Sequence, residues 1–279
     1  MAQNAMVRTK PQALASATPP LLALLILGGC VSSTVTRGLE IDAAQGSTQN
    51  IASLSAVLQR APNDAGAWNT RGAAYARAGK FKQALADFDR AVALDPRMAE
   101  AWSNRGRAKG RLGEGRAAIL DYNRALEIDP RYDNALIGRA DIYARAGQDR
   151  DAFRDYDRAV RLDTTNPRAY HNRGLILQRR GQHDEAIEDF SRAISLQDNR
   201  PEPYNARGLS YLALAQDDPA LDDFNAALRL NERYAEAWVN QGLVHERGGN
   251  RARAFRSFSR AAAIDASYKP AKSGMRRTR

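Results

Sequence analysis

Aromatic and large apolar residues return along this chain at one fixed interval: Trp68, Trp102, Leu136, Tyr170, Tyr204 and Trp238 stand 34 residues apart, with no insertion or deletion between them. Such a period marks a stacked repeat, in which each unit buries its apolar face against its neighbours. Six copies follow, at 65–98, 99–132, 133–166, 167–200, 201–234 and 235–268. At about 100° per residue, positions 4, 8 and 11 of a copy share one stripe of a first helix, A. Position 8 is Gly72, Gly106, Ala140, Gly174, Gly208 or Gly242, and positions 20 and 27 are alanine in every copy. Position 24 is aromatic throughout: Phe88, Tyr122, Tyr156, Phe190, Phe224 and Phe258. Small residues at 8, 20 and 27 let helix A and a second helix, B, approach closely, while the aromatic side chain fills the space between them.

Turn residues divide each copy. Gly79, Gly113, Gly147, Gly181 and Gly249 at position 15 suit the left-handed conformation that ends helix A. In the fifth copy Asp218-Pro219 stands near that point and predicts an N-cap followed by Pro at N1 of helix B. Asp95-Pro96 and Asp129-Pro130 end helix B in the first two copies. The three tryptophans all fall at position 4, which reads as core and not as a ligand cage.

These residues resemble the tetratricopeptide repeat, a hairpin of helix A, turn and helix B. The resemblance implies an all-α solenoid, a right-handed superhelix whose helices A line a concave groove for a protein partner. Residues 50–64 read as a partial, degenerate repeat, because Leu54, Val57 and Pro62 align with positions 24, 27 and 32 of a preceding copy. Thr36-Arg37-Gly38 echoes Thr70-Arg71-Gly72 at the same interval. The basic stub 269–279 is too short for a full capping helix; either a short helix around Ala271 to Met275 docks on the sixth copy or a second chain covers that end.

One departure from an apolar stripe recurs. Position 7, on the buried side, is Arg71, Arg105, Arg139, Arg173 and Arg207, and position 23 of the same copies is Asp87, Asp121, Asp155, Asp189 and Asp223. In the sixth copy both change together, to Gln241 and Ser257. A lone buried guanidinium is very costly, so each Arg is expected to pair with an Asp across helices, within a copy or to the next.

Composition narrows the function. With 43% apolar and 27% charged residues the chain reads as a soluble folded protein, and a net charge of +10 favours anionic partners without choosing among them. One Cys and three His leave no disulfide framework, little material for a metal or nucleophile site, and no expected cofactor. His171 and His183 fall on different parts of one hairpin, and His245 falls at core position 11. No phosphate loop or hydrolase elbow occurs, and a non-catalytic protein is expected.

That single Cys stands at the end of an export-type leader. Arg8 and Lys10 precede the apolar run 21–27, which meets Gly28-Gly29-Cys30. Seven apolar residues are far short of the roughly 20 a spanning helix needs. Leu27-Gly28-Gly29-Cys30 resembles the lipobox of bacterial lipoproteins, which implies that residues 1–29 are removed and that Cys30 carries the lipid. Residues 30–49, rich in Ser, Thr, Gly and Gln, read as a flexible tether. Val31 after the cysteine implies, by the same resemblance, an outer-membrane location facing the periplasm.

On helix A, positions 2, 5, 9 and 13 lie opposite the buried stripe and become the groove candidates. They supply Asn69, Arg77, Arg107, Arg111, Arg145, Arg168, His171, Arg179, Asn205 and Arg247. A ladder of Arg at position 13 suits carboxylates or phosphates through the guanidinium fork; equally, a cation in the last turn of helix A stabilises the helix dipole without a ligand. Glu100, Asp141, Glu202, Glu236 and Glu246 keep the groove from being uniformly basic. Position 5 does not reproduce the Lys and Asn pattern of carboxylate-clamp tetratricopeptide domains. A second row, Arg90, Arg124, Arg158, Arg192 and Arg260, faces outward on helix B, as solvated charge or toward anionic lipid or murein. The expected function is a membrane-tethered scaffold for protein partners in the cell envelope. The alternatives are an anionic-polymer binding module for murein or lipopolysaccharide, and a cytosolic protein; nucleic acid is disfavoured because exposed aromatics do not interleave with the basic residues.

Overall fold

The computed structural model describes residues 46–279; the leader, Cys30, the Thr36-Arg37-Gly38 echo and most of the tether lie outside the described residues. Fourteen α-helices follow in tandem, and no strand occurs among the described residues. After α1 (Thr48–Arg60), the helices A are α2 (Ala65–Arg77), α4 (Ala99–Arg111), α6 (Asp133–Arg145), α8 (Pro167–Arg179), α10 (Pro201–Ala213) and α12 (Ala235–Arg247). The helices B are α3 (Phe81–Leu94), α5 (Gly115–Ile128), α7 (Asp149–Arg161), α9 (His183–Leu196), α11 (Asp217–Leu230) and α13 (Arg251–Ile264), and α14 (Lys269–Thr278) closes the array. Each helix packs chiefly on its neighbours in the chain, which makes the fold the all-α solenoid expected from the period.

The interhelix distance follows from the small residues. A Cβ added to Gly72 would stand 2.7 Å from Phe88 Cε1, and equivalent additions at Gly174, Gly208 and Gly242 would stand 2.7–2.8 Å from Phe190, Phe224 and Phe258. Phe88, Phe190, Phe224 and Phe258 are each fully buried, as are the alanines at positions 20 and 27. Burying one such ring contributes roughly 1.5–3 kcal/mol. The tryptophans sit higher than the expected core: they are half-buried, and their indole N–H groups donate to the carbonyls of Pro62, Pro96 and Glu232. They tie each helix A to the loop before it.

Three local expectations change. The first helix begins at Thr48, where the Ser47 side chain accepts from Asn50 N at 3.2 Å, so the segment before it is shorter than 30–49. In the fifth copy Asp218 is not the N-cap and Pro219 is not at N1, because α11 already starts at Asp217 with Gln216 as cap. Ala215 takes the left-handed turn itself, at φ 59°, where most copies use glycine. An L-residue there costs roughly 1–2 kcal/mol, so Ala215→Gly is expected to stabilise the protein by about 1 kcal/mol. A melting temperature unchanged or lowered by that substitution would show that the turn holds no such strain.

The carboxyl end is the third. Residues 269–278 form a complete helix on α13 and α12, in the place the next helix A would occupy. It docks through small residues: Ala271 is fully buried, and a Cβ on Gly274 would stand 2.5 Å from Phe258 Cγ. Arg277 Nε and Nη2 donate to Glu246 at 2.7 Å each. Of the two expectations for this end, the docked helix is the one observed, and it is longer than the 271–275 expected because close approach here rests on a missing side chain, which an apolar stripe does not reveal. No helix among the described residues is long and apolar enough to cross a membrane.

Candidate functional site

The position-7 arginines are fully engaged inside the array. Arg71, Arg105, Arg139, Arg173 and Arg207 each donate through Nε and Nη2 to Asp87, Asp121, Asp155, Asp189 and Asp223 of the same copy, at 2.7–2.8 Å. Two parallel bonds of this kind are strong and directional. The remaining Nη1 reaches back to position 25 of the preceding helix B: Ser55, Asp89, Asn123, Asp157 and Ser191 accept at 2.6–3.1 Å. Each guanidinium therefore joins two hairpins as well as two helices. In the sixth copy Gln241 donates to Asn225 and accepts from Ser257, an uncharged version of the same junction. Sequence reasoning missed the third partner, although position 25 carries a hydrogen-bond acceptor in every one of these copies. Hydrogen bonding to its Asp raises the pKa of Arg71, Arg173 and Arg207, so these groups are fixed cations.

The groove candidates divide. Asn69 and Asn205 at position 5 do not face a ligand; they are buried, and their Oδ1 atoms accept from Asn104 and Asn240 of the next helix A at 3.0 and 2.8 Å. Position 5 turns into the seam because successive helices A pack side by side. His171 is half-buried beside Phe190, at 5.6 Å between ring centroids, and burial lowers its pKa. The exposed face is left to positions 2, 9 and 13, where Arg77, Arg107, Arg111, Arg145, Arg168, Arg179 and Arg247 are all exposed.

The ladder at position 13 is not uniform, because its partner is position 17 of the preceding copy. Arg179 forks onto Asp149 at 2.9 and 3.1 Å, and Arg247 Nε donates to Asp217 at 2.9 Å. The Arg111 guanidinium lies 5.0 Å from the Phe81 ring centroid. For Arg145 the corresponding residue is Gly115, which offers no side chain. On the opposite side of the hairpins, Arg158 donates to the Pro130 carbonyl and Arg124 pairs with Glu127, so part of the outward row is used to hold local structure.

Between α4, α6 and the start of α8 the groove deepens into a cavity of ≈ 520 Å³. Its walls include Glu100, Asn104, Arg107, Arg111, Tyr122, Tyr132, Asn134, Asp141, Arg145, Asn166 and Arg168. Arg168 pairs with Asp141, which also accepts from Tyr156 at 2.6 Å and from Asn172 at 3.1 Å. Tyr122 rises from α5 into this cavity, and burial pushes its hydroxyl up to about 12, against the opposing pull of Arg107, Arg168 and Arg145. It is a hydrogen-bond donor at any neutral pH. No group of three or more His, Cys, Asp or Glu placed to hold a metal ion occurs among the described residues.

Comparison with known proteins gives the same architecture. Models described as tetratricopeptide repeat match residues 65–98, 99–132 and 166–238, and one described as TPR repeat matches 140–181, together more than half of the chain. No curated protein matches. Among solved structures, a chain of an APC/C hetero-tetramer is similar with TM-score 0.70 and 19% identity over 86% of this chain; the match spans only 47% of that chain. YrrB, a TPR protein with an unusual peptide-binding site, is similar with TM-score 0.62 and 23% identity, over 68% of this chain and 97% of its own. PilF of Pseudomonas aeruginosa is similar with TM-score 0.69 and 18% identity, over 76% of this chain and 97% of its own. At these identities the likeness is one of fold.

Proposed function

Because this chain belongs to the tetratricopeptide repeat family, we propose that it is a binding scaffold that holds an extended segment or domain surface of another protein along the face made by helices A. One observation carries the reading. The position-7 arginines of the first five copies use all three guanidinium nitrogens inside the array, whereas Arg107 and Arg111 of α4 and Arg145 of α6 present exposed guanidinium groups to a cavity on that face. A helix-dipole role for position 13 accounts for one cation per helix. It does not account for Arg107 at position 9 or for the cavity. The peptide-binding site named for YrrB supports the reading by analogy of fold.

The scaffold is tethered, on this proposal, to the periplasmic side of a bacterial outer membrane through lipid on Cys30, after removal of the leader that ends at Gly29. The support is the leader pattern itself: basic residues, a short apolar run, two glycines and the single Cys of the chain. Stable anchoring needs more than one acyl chain. An anionic-polymer partner is the weaker reading, because Glu100, Asp141, Glu202 and Glu236 interrupt the basic face.

The test is made in cells grown with labelled palmitate and then treated with a lysine-reactive cross-linker. The wild-type protein should carry label and yield protein adducts; Cys30→Ala should lose the label, and the Arg111→Ala, Arg145→Ala double variant should lose most adducts while keeping it. Unchanged labelling of Cys30→Ala would remove the anchor, and an unchanged adduct set in the double variant would remove the groove.

A further inference from the structure

Three hydrogen-bond donors around the α4–α6 cavity have no carboxylate partner: Arg145 and Tyr122 lack the acceptors that their counterparts have elsewhere in the array, and Arg107 is a cation that occurs in one copy alone. Arg145 is the position-13 arginine whose preceding copy offers Gly115 where Asp149 and Asp217 pair with Arg179 and Arg247. Arg107 stands at position 9, which is Ala73, Asp141, Leu175, Leu209 or Leu243 in the other copies, and its donation is to the neutral Asn104 Oδ1 at 2.8 Å. Neither arginine has an ion pair with a carboxylate among the described residues. Tyr122 is the third. Its equivalent one copy on, Tyr156, donates to Asp141 and accepts from Asn172. For Tyr122 those two places are Arg107 and Gly138, so its hydroxyl has no partner among the described residues.

The gap is built by glycine. A Cβ on Gly138 would stand 2.5 Å from Tyr122 Cζ and 2.6 Å from its hydroxyl oxygen, so the ring tip occupies the side-chain space of α6 and opens onto the cavity. The acids nearby do not supply the missing acceptor: Asp141 is engaged by Arg168, Tyr156 and Asn172, and Glu100 forms no ion pair among the described residues. Three donors of matching polarity face one space, two of them cations, without an anion of their own.

We infer that this cavity is an acidic-residue pocket: an Asp or Glu of an extended peptide places its carboxylate among Arg107, Arg145 and the Tyr122 hydroxyl. The inference rests on the scaffold reading and names the chemistry of its partner. A carboxylate fits because the guanidinium forks donate in a plane and the phenol adds a third bond. A peptide fits better than a free oxyanion because Asn134 and Asn166 also line the space, and side-chain amides can bond to a passing main chain.

The test uses fluorescein-labelled octapeptide pools, degenerate except for a central Glu or a central Gln, titrated against the protein from residue 31 onward. The Glu pool is expected to bind at least tenfold more tightly. Arg145→Gln and Tyr122→Phe should each abolish most of that preference, whereas Arg247→Gln, whose side chain is already paired outside the cavity, should leave it unchanged. Equal binding of both pools would overturn the acidic pocket and leave the scaffold standing; binding of neither would overturn both. Displacement of the Glu pool by inorganic phosphate at concentrations where acetate has no effect would reassign the pocket to a phosphate group and overturn the proposal.

Discussion

Replacing Arg139 by leucine is expected to destabilise the middle of the array by ~3–5 kcal/mol, the usual cost of breaking a buried ion pair by removing one partner. Asp155 is only 2% exposed and loses both donors at once, while Asn123 of the preceding helix loses its own contact. The double change Arg139→Leu, Asp155→Leu removes the orphaned charge and should recover most of the loss, since two leucines can fill the same gap. The sixth copy supplies an internal control: its Gln241 and Ser257 meet the same neighbours without charge, so Arg139→Gln with Asp155→Ser should be milder than the single leucine variant. Urea unfolding followed by circular dichroism, with hydrogen exchange to localise the effect on α6 and α7, separates the cases. If the single and double leucine variants melt together, the pair contributes no coupling and the junction is merely two polar residues in one place.

Phe258→Ala should cost a similar ~3–5 kcal/mol, but at one end only. The ring is fully buried and touches two backbones, with Gly242 on its own hairpin and Gly274 on α14 both shaped around it. Its loss opens a cavity that neither helix can close, because each already approaches as nearly as its backbone allows. In a stacked array stability is a sum of local and nearest-neighbour terms, so the damage should stay in α12 to α14. Amides of residues 251–278 should exchange fast while α4 to α9 keep their protection. Uniform loss of protection from end to end would mean that the array unfolds as one unit and that the local account is wrong.

The candidate site was less legible than the fold, for a reason visible in particular residues. The helix A stripe placed positions 2, 5, 9 and 13 on one face, but Asn69 and Asn205 at position 5 turned out to be buried against Asn104 and Asn240. A helical wheel knows only one helix, and position 5 is buried by the next helix A, 34 residues on. The same limit hid the neighbours of position 13, which lie 30 residues back: Arg179 and Arg247 meet aspartates, Arg111 meets a ring, and Arg145 meets a glycine. Four identical residues at identical positions therefore differ in what they are free to bind. The third bond of each position-7 arginine was hidden likewise, although Ser55, Asp89, Asn123, Asp157, Ser191 and Asn225 could have been noticed as an unbroken column of acceptors.

The primary sequence was sufficient for what repeats within one hairpin: the 34-residue period, the two helices, the small residue under each ring, and position 23 as the partner type for position 7, though not whether that partner lies in the same copy or the next. Those contacts form between residues a fixed short distance apart, so residue type and spacing dictate them. The angle at which one hairpin stacks on the next decided the rest: which arginines find acids, where Tyr122 points, and how a ten-residue basic tail becomes a cap. That angle comes from the close packing of whole helix faces, where the missing side chains of Gly138 and Gly274 matter as much as the side chains present.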